Sequence, residues 1–97
     1  MPNKVNIAVQ ILPKTKDGND ISVIDKAIEV IINAGVKYKV CPFETVMEGE
    51  YDELLAIVKK MQQVCYEAGA IQVITNIKIQ NAFDIDLNFE DKLKKYE

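Results

Sequence analysis

Apolar and polar residues alternate with a period of two over several stretches of this 97-residue chain, and the alternation predicts strands with one buried face. The predicted strands cover 5–12, 37–41, 45–48 and 71–80. Pro13 is predicted to end the first strand and Gly49 the third. A hairpin turn at 42–44 is expected to join the second strand to the third.

Apolar residues recur at helical spacing over 24–34 and 51–68, which predicts two amphipathic helices. Gly35 and Gly69 follow these stripes, where a left-handed residue commonly closes a helix. A short C-terminal helix is expected over 89–96. The predicted N-caps are Asp20 or Ser22 for the first helix and Asn88 for the last.

The resulting element order is β-α-β-β-α-β, and each half passes from helix to strand through an Ala-Gly pair. This order is typical of the ferredoxin-like fold, an α+β sandwich in which two helices cover one face of a four-stranded antiparallel sheet. The length is that of one domain, so we expect residues 1–97 to form a single ferredoxin-like domain with a short C-terminal helix.

Both helices are expected on one sheet face, so the opposite face is predicted to be bare. Its residues mix apolar side chains with complementary charges, which favours a subunit interface, while an ordinary exposed face is the alternative. The residues predicted on this face are Gln10, Leu12, Lys37, Lys39, Cys41, Phe43, Val46, Glu48, Ile74, Asn76 and Lys78.

Composition excludes several classes of function. The net charge is −3 and no segment concentrates lysine without nearby acids, so we expect no nucleic-acid partner. The apolar run at 5–12 is too short to span a bilayer, which predicts no membrane partner and a cytosolic location. There is no histidine, so no His-dependent nucleophile is available and the commonest zinc ligand is missing. Cys41 and Cys65 form no CxxC motif, and we expect both to be reduced.

Several segments, taken in order, resemble the family of small thiamine-binding proteins. They are Val23 to Glu29, Gly35 to Val40 followed by Pro42, Thr45 to Glu50 followed by Asp52-Glu53-Leu54, Ala68-Gly69-Ala70, Ile77-Lys78-Ile79 and Glu90-Asp91-Lys92. The resemblance implies a ferredoxin-like fold, assembly into dimers and tetramers, and binding of thiamine or its pyrimidine moiety without catalysis or a further cofactor. The chain departs from the family pattern at Phe43-Glu44 in the hairpin and at Asn81 to Asp84 after the last strand, two loops that are candidates to shape a pocket.

Thiamine carries an aminopyrimidine ring and a cationic thiazolium, so its site needs hydrogen-bonding groups and an apolar or aromatic surface. Glu48 is the candidate acceptor for the exocyclic amine and Phe43 the candidate stacking ring, which also attracts a cation. The other candidate ligand-binding residues are Gln10, Thr45, Asn76 and Lys78. Each has a structural alternative, among them a cross-strand pair between Glu48 and Lys78 and a simple strand role for Thr45.

Two other classes of function remain open at this level. The chain is alternatively a regulatory or protein-interaction module of the same fold, because ferredoxin-like domains support many functions. The third class is an enzyme that uses Glu48 and Glu50 as paired carboxylates for acid–base catalysis.

Overall fold

The computed structural model describes residues 3–96 and contains the predicted elements in the predicted order. The elements are β1 (Lys4–Thr15), α1 (Asp20–Ile32), β2 (Lys37–Val40), β3 (Thr45–Glu50), α2 (Tyr51–Glu67), β4 (Ala70–Gln80), α3 (Phe89–Leu93) and a final 3-10 turn (Lys94–Tyr96). The four strands pair in the order β2-β3-β1-β4, and every pairing is antiparallel. This is the ferredoxin-like α+β arrangement expected from the sequence.

The core lies between the sheet and the helices α1 and α2. Ile7 is at its centre, paired with Met47 of β3 on one side and Ile79 of β4 on the other. The helices contribute Ile31 and Leu54, both fully buried in the same cluster as Ile7. Burying a side chain of this size stabilises the folded state by about 1.5–3 kcal/mol. The buried face of β1 and the apolar stripes of α1 and α2 therefore supply much of the stabilisation of the fold.

Two strands continue past the residues predicted to end them. Pro13 lies inside β1 and pairs with Val73, because β1 has only β4 beside it beyond Val9 and a proline is tolerated in a strand that is bonded on one side. Gly49 lies inside β3 opposite Val5. A Cβ at this position would come 3.3 Å from Cδ2 of Leu54, so glycine here lets α2 pack closely against the strand.

The helix ends agree with prediction at their C-termini and differ at the first N-terminus. Gly35 and Gly69 have φ values of +81° and +107°, the left-handed conformation expected there. The residue before α1 is Asn19, and its side chain makes no capping hydrogen bond. Asp20 does not cap the helix because its carboxylate accepts hydrogen bonds from the backbone N–H and the hydroxyl of Thr15, at 3.0 and 2.7 Å.

The two cysteines, Cys41 and Cys65, are free thiols that differ in exposure. Cys65 is fully buried among the apolar residues of α2, and this burial raises the pKa of its thiol. Cys41 follows β2 and is partly exposed.

We therefore expect iodoacetamide to modify Cys41 in the native protein and Cys65 only after unfolding, because alkylation needs an accessible thiolate. Peptide mass mapping of native and denatured samples measures both sites. A Cys41→Ser variant should show no native modification, and native labelling of Cys65 in that variant would contradict the expected burial.

Candidate ligand-binding site

The segment after β4 returns past the start of β1 and carries the chain onto the sheet face opposite α1 and α2. The side-chain amide of Asn3 donates to the carbonyl oxygens of Ala82 and Ile85, at 2.9 and 2.7 Å. The N–H of Lys4 donates to Asp86 at 2.7 Å, and the N–H of Leu87 donates to the Lys4 carbonyl at 3.0 Å. These bonds fix where α3 begins.

Glu48 holds the first residue of α3 against the sheet. Its Oε1 accepts a hydrogen bond of 2.8 Å from the N–H of Phe89, and the Glu48 residue is only 6% exposed. Lys37 lies beside both groups, with its Nζ 3.7 Å from Oε2 of Glu48 and 2.8 Å from Oε1 of Glu90. The same Nζ lies 5.1 Å from the centroid of the Phe89 ring. Its bond to Glu90, followed by the charge of Glu48, raises the pKa of Lys37.

The sheet face predicted to be bare is therefore partly covered. As expected, Asn88 caps α3, its side chain accepting from the N–H of Glu90 at 2.9 Å. The prediction of a bare face was wrong at the end of the sheet where Asn6 and Glu48 pair, because α3 lies over them. A helix of five residues has too few positions to show which surface it will cover.

A cavity of about 320 Å³ lies between α3 and the sheet. Ala8 and Val46, paired across β1 and β3, belong to its sheet side. Phe89 and Leu93 line it from α3. Asn6 is buried at its edge, where Oδ1 accepts from Nζ of Lys92 at 2.6 Å while Nδ2 donates to the Leu87 carbonyl at 3.3 Å. The arrangement offers a flat ligand an apolar interior with polar groups at the edge.

A smaller cleft of about 200 Å³ lies at the β2–β3 hairpin, next to Ile24 and Ile28 of α1. Phe43, Thr45 and Gln10 line it. Phe43 is 83% exposed, whereas Thr45 is 4% exposed in the row of β3 that faces the helices.

The structure thus separates the residues predicted to form one site. Phe43 and Thr45 are at the hairpin cleft, and Lys78 lines the cavity under α3. Asn76 of β4 donates a 3.1 Å hydrogen bond to Gln10 of β1. Gln10 lines the hairpin cleft, and Asn76 is two residues from Lys78, so this bond lies between the cleft and the cavity. Glu48 lies below α3 and is not among the cavity-lining residues. The alternative pairing of Glu48 with Lys78 was wrong, because Lys78 lies 3.5 Å from Glu44.

Sequence reasoning missed Asn6, Lys92 and Phe89 as parts of the site. The pairing of Asn6 with Glu48 follows from the strand register, so a predicted register would have drawn attention to this position.

The two carboxylates proposed as an acid–base pair, Glu48 and Glu50, each accept a hydrogen bond from a different helix. Glu50 is the N-cap of α2 and accepts from the N–H of Glu53 at 3.1 Å, while Glu48 holds α3.

Within residues 3–96, His, Cys, Asp and Glu side chains form no group of three or more that could hold a metal ion. Over the same range, none of the helices combines the length and the apolar character that crossing a bilayer requires.

Comparison with known proteins decides the family. A model of the family described as thiamine-binding protein matches residues 7–97. The chain belongs to this family. The description names a binding activity rather than a reaction, and the match confirms the resemblance drawn from the sequence.

Relatives and solved structures extend the comparison over nearly the whole chain. A UPF0045 protein of Clostridium perfringens is 45% identical over 91 residues, which cover 94% of this chain and 95% of that protein. A domain of unknown function from Bacillus cereus has a TM-score of 0.96 at 42% identity, with 100% of this chain and 93% of that chain covered. A Thermotoga maritima structure described as a candidate thiamine biosynthesis/salvage protein has a TM-score of 0.87 at 32% identity, with 97% and 99% covered.

We expect Glu48→Gln to loosen α3 from the sheet. Glutamine retains an acceptor for the Phe89 N–H but loses the charge that strengthens this bond and attracts Lys37. The Phe89 amide should exchange with solvent roughly fivefold faster, equivalent to about 1 kcal/mol. Hydrogen exchange followed by NMR measures this change. Glu50→Gln is the matched control, since Glu50 caps α2 and does not contact α3. Unchanged exchange at Phe89 in Glu48→Gln would show that the carboxylate does not hold α3.

Proposed function

We propose that this chain is a cytosolic protein that binds thiamine or its hydroxymethylpyrimidine moiety without transforming it chemically. The observation that carries the proposal is the cavity of about 320 Å³ between α3 and the sheet in a chain of the thiamine-binding family. Its volume is at the lower end of the range usual for small-molecule sites, about 300–1,000 Å³, which suits a single substituted ring.

The lining of the cavity matches the needs of a pyrimidine. In this proposal the flat ring lies between the Ala8–Val46 pair and Phe89, so Phe89 supplies the aromatic contact. Lys78 and the side-chain amide of Gln80 are at the polar edge, where ring nitrogens accept and the exocyclic amine donates.

Three of the remaining predicted site residues, Gln10, Asn76 and Glu48, take supporting roles in this proposal. Gln10 and Asn76 extend the polar edge along the sheet. Glu48 positions α3 over the cavity by accepting a hydrogen bond from the N–H of Phe89. Phe43 and Thr45 line the hairpin cleft, which we assign no part in holding the pyrimidine.

Ala8→Leu should block the site, because Ala8 lines the sheet side of the cavity and the larger side chain would fill part of the space for the ligand. Overpacking of this kind costs about 1–3 kcal/mol, so we expect ligand affinity to fall roughly tenfold or more. Titration calorimetry with thiamine and with the free pyrimidine measures the effect. Ala56→Leu on the exposed side of α2 is the matched control and should bind as the parent does.

The parent protein should also be stabilised by its ligand. At about 100 times the dissociation constant the gain is about 2.7 kcal/mol. For a chain of this size that is on the order of 10 °C in melting temperature. Absence of both heat and thermal shift with thiamine, its phosphates and the free pyrimidine would contradict the proposal and favour the interaction-module alternative.

We further propose that the chain forms a homo-oligomer, a dimer or a tetramer, through the part of the sheet face that α3 leaves open. Leu12 and Ile74 pair across β1 and β4 on this face and are 43% and 52% exposed, although both are large and apolar. Association would remove this apolar surface from water.

We expect Ile74→Lys to reduce the assembled fraction, because association would bury its charge. Light scattering combined with gel filtration measures the mass. Ile21→Lys makes the same change at an exposed position of α1, on the opposite side of the sheet, and should leave the mass unchanged. A parent particle of 11.0 kDa at micromolar concentration would contradict the proposed oligomer.

A further inference from the structure

The cavity under α3 is positively charged in a protein whose net charge is −3. Lys39 of β2, Lys78 of β4 and Lys92 of α3 all line it, and none of its lining residues is acidic. Three different elements therefore bring lysine side chains to one small apolar space. A cavity lined by one sign of charge raises the local concentration of ligands of the opposite sign.

These lysines are poorly neutralised by the protein. Lys92 donates to the neutral side-chain oxygen of Asn6. Lys78 lies 3.5 Å from Glu44, and because the Lys78 side chain is 81% exposed, solvent screens the attraction. Over residues 3–96, Lys39 has no carboxylate within ion-pair distance, in contrast to Lys37 two residues earlier.

The nearby carboxylates already have other partners. Glu48 accepts from the Phe89 N–H, and both Glu48 and Glu90 lie within ion-pair distance of Lys37. Apart from the pair between Lys78 and Glu44, the positive charge at the cavity is therefore left for a ligand. A phosphate there would accept charge-assisted hydrogen bonds from the ammonium groups.

We infer that the ligand of this cavity is an aminopyrimidine that carries a phosphate ester. This inference rests on the proposed function and specifies the ligand class of the same site. The ring occupies the apolar space beside Ala8, Val46 and Phe89, and the phosphate lies among Lys39, Lys78 and Lys92. A phosphate carries a charge of about −1.5 to −2 at neutral pH, enough to balance much of this lysine cluster.

Titration calorimetry on the full chain tests the inference with four probes: hydroxymethylpyrimidine, its phosphate ester, thiamine and inorganic phosphate. We expect the ester to bind about tenfold or more tightly than the alcohol, because charge-assisted hydrogen bonds are about twice as strong as neutral ones. Raising the ionic strength should reduce this advantage, since salt screens the lysines.

Lys39→Gln should remove most of the preference for the ester, measured as the ratio of the affinity for the ester to the affinity for the alcohol in the same variant. Lys39 is the better position to alter, because Lys92 also holds Asn6. Lys59→Gln, on the exposed side of α2, makes the same change of charge away from the cavity and is the matched control.

The outcomes separate this inference from the proposed function. Equal affinity for ester and alcohol, unaffected by Lys39→Gln, would overturn the phosphate assignment and leave pyrimidine binding intact. Binding of thiamine more tightly than the ester would also overturn it. Inorganic phosphate binding as tightly as the ester would overturn the role of the ring, and no binding of any probe would overturn both proposals.

Discussion

The hydrogen bond between Glu48 and the first residue of α3 is the interaction on which the candidate site depends. A carboxylate that is 6% exposed must have partners, because an unpaired buried charge is costly. The Phe89 N–H and the ammonium group of Lys37 supply them. The hydrogen bond from Phe89 thus gives the buried carboxylate of β3 a partner. The same bond holds α3 over the sheet, where α3 encloses the cavity.

The arrangement of strands and helices could be predicted because it follows from local pattern. The alternation around Ile7 identifies the buried face of β1, and Gly69 marks the end of α2 through its left-handed backbone. The predicted strand ends were wrong at two positions where tertiary contacts determine how far the strand continues. Pro13 remains in β1 because one side of that strand has no neighbour, and Gly49 remains in β3 because α2 packs against it.

The site was less accessible to prediction because it joins residues far apart in sequence. Glu48 and Phe89 are separated by 41 positions, and nothing in the pattern of either segment indicates the partner. Family resemblance indicated a candidate ligand class but could not place α3, since the chain reaches α3 through the irregular segment after β4. There Asn3 bonds Ala82 and Ile85, which directs the chain across the sheet.

The lysine cluster and the docking of α3 are physically linked. Lys39 and Lys78 are held by the sheet, whereas Lys92 reaches the cavity only while α3 lies over it. An anion that bridges these groups would bind the docked arrangement better than an undocked one. Coupling between two equilibria is reciprocal. A change that loosens α3 would therefore lower the affinity for such an anion, and an anion that binds the lysines would stabilise the docking of α3 on the sheet. In the proposed complex Glu48 would therefore affect binding without touching the ligand, through the position of Phe89.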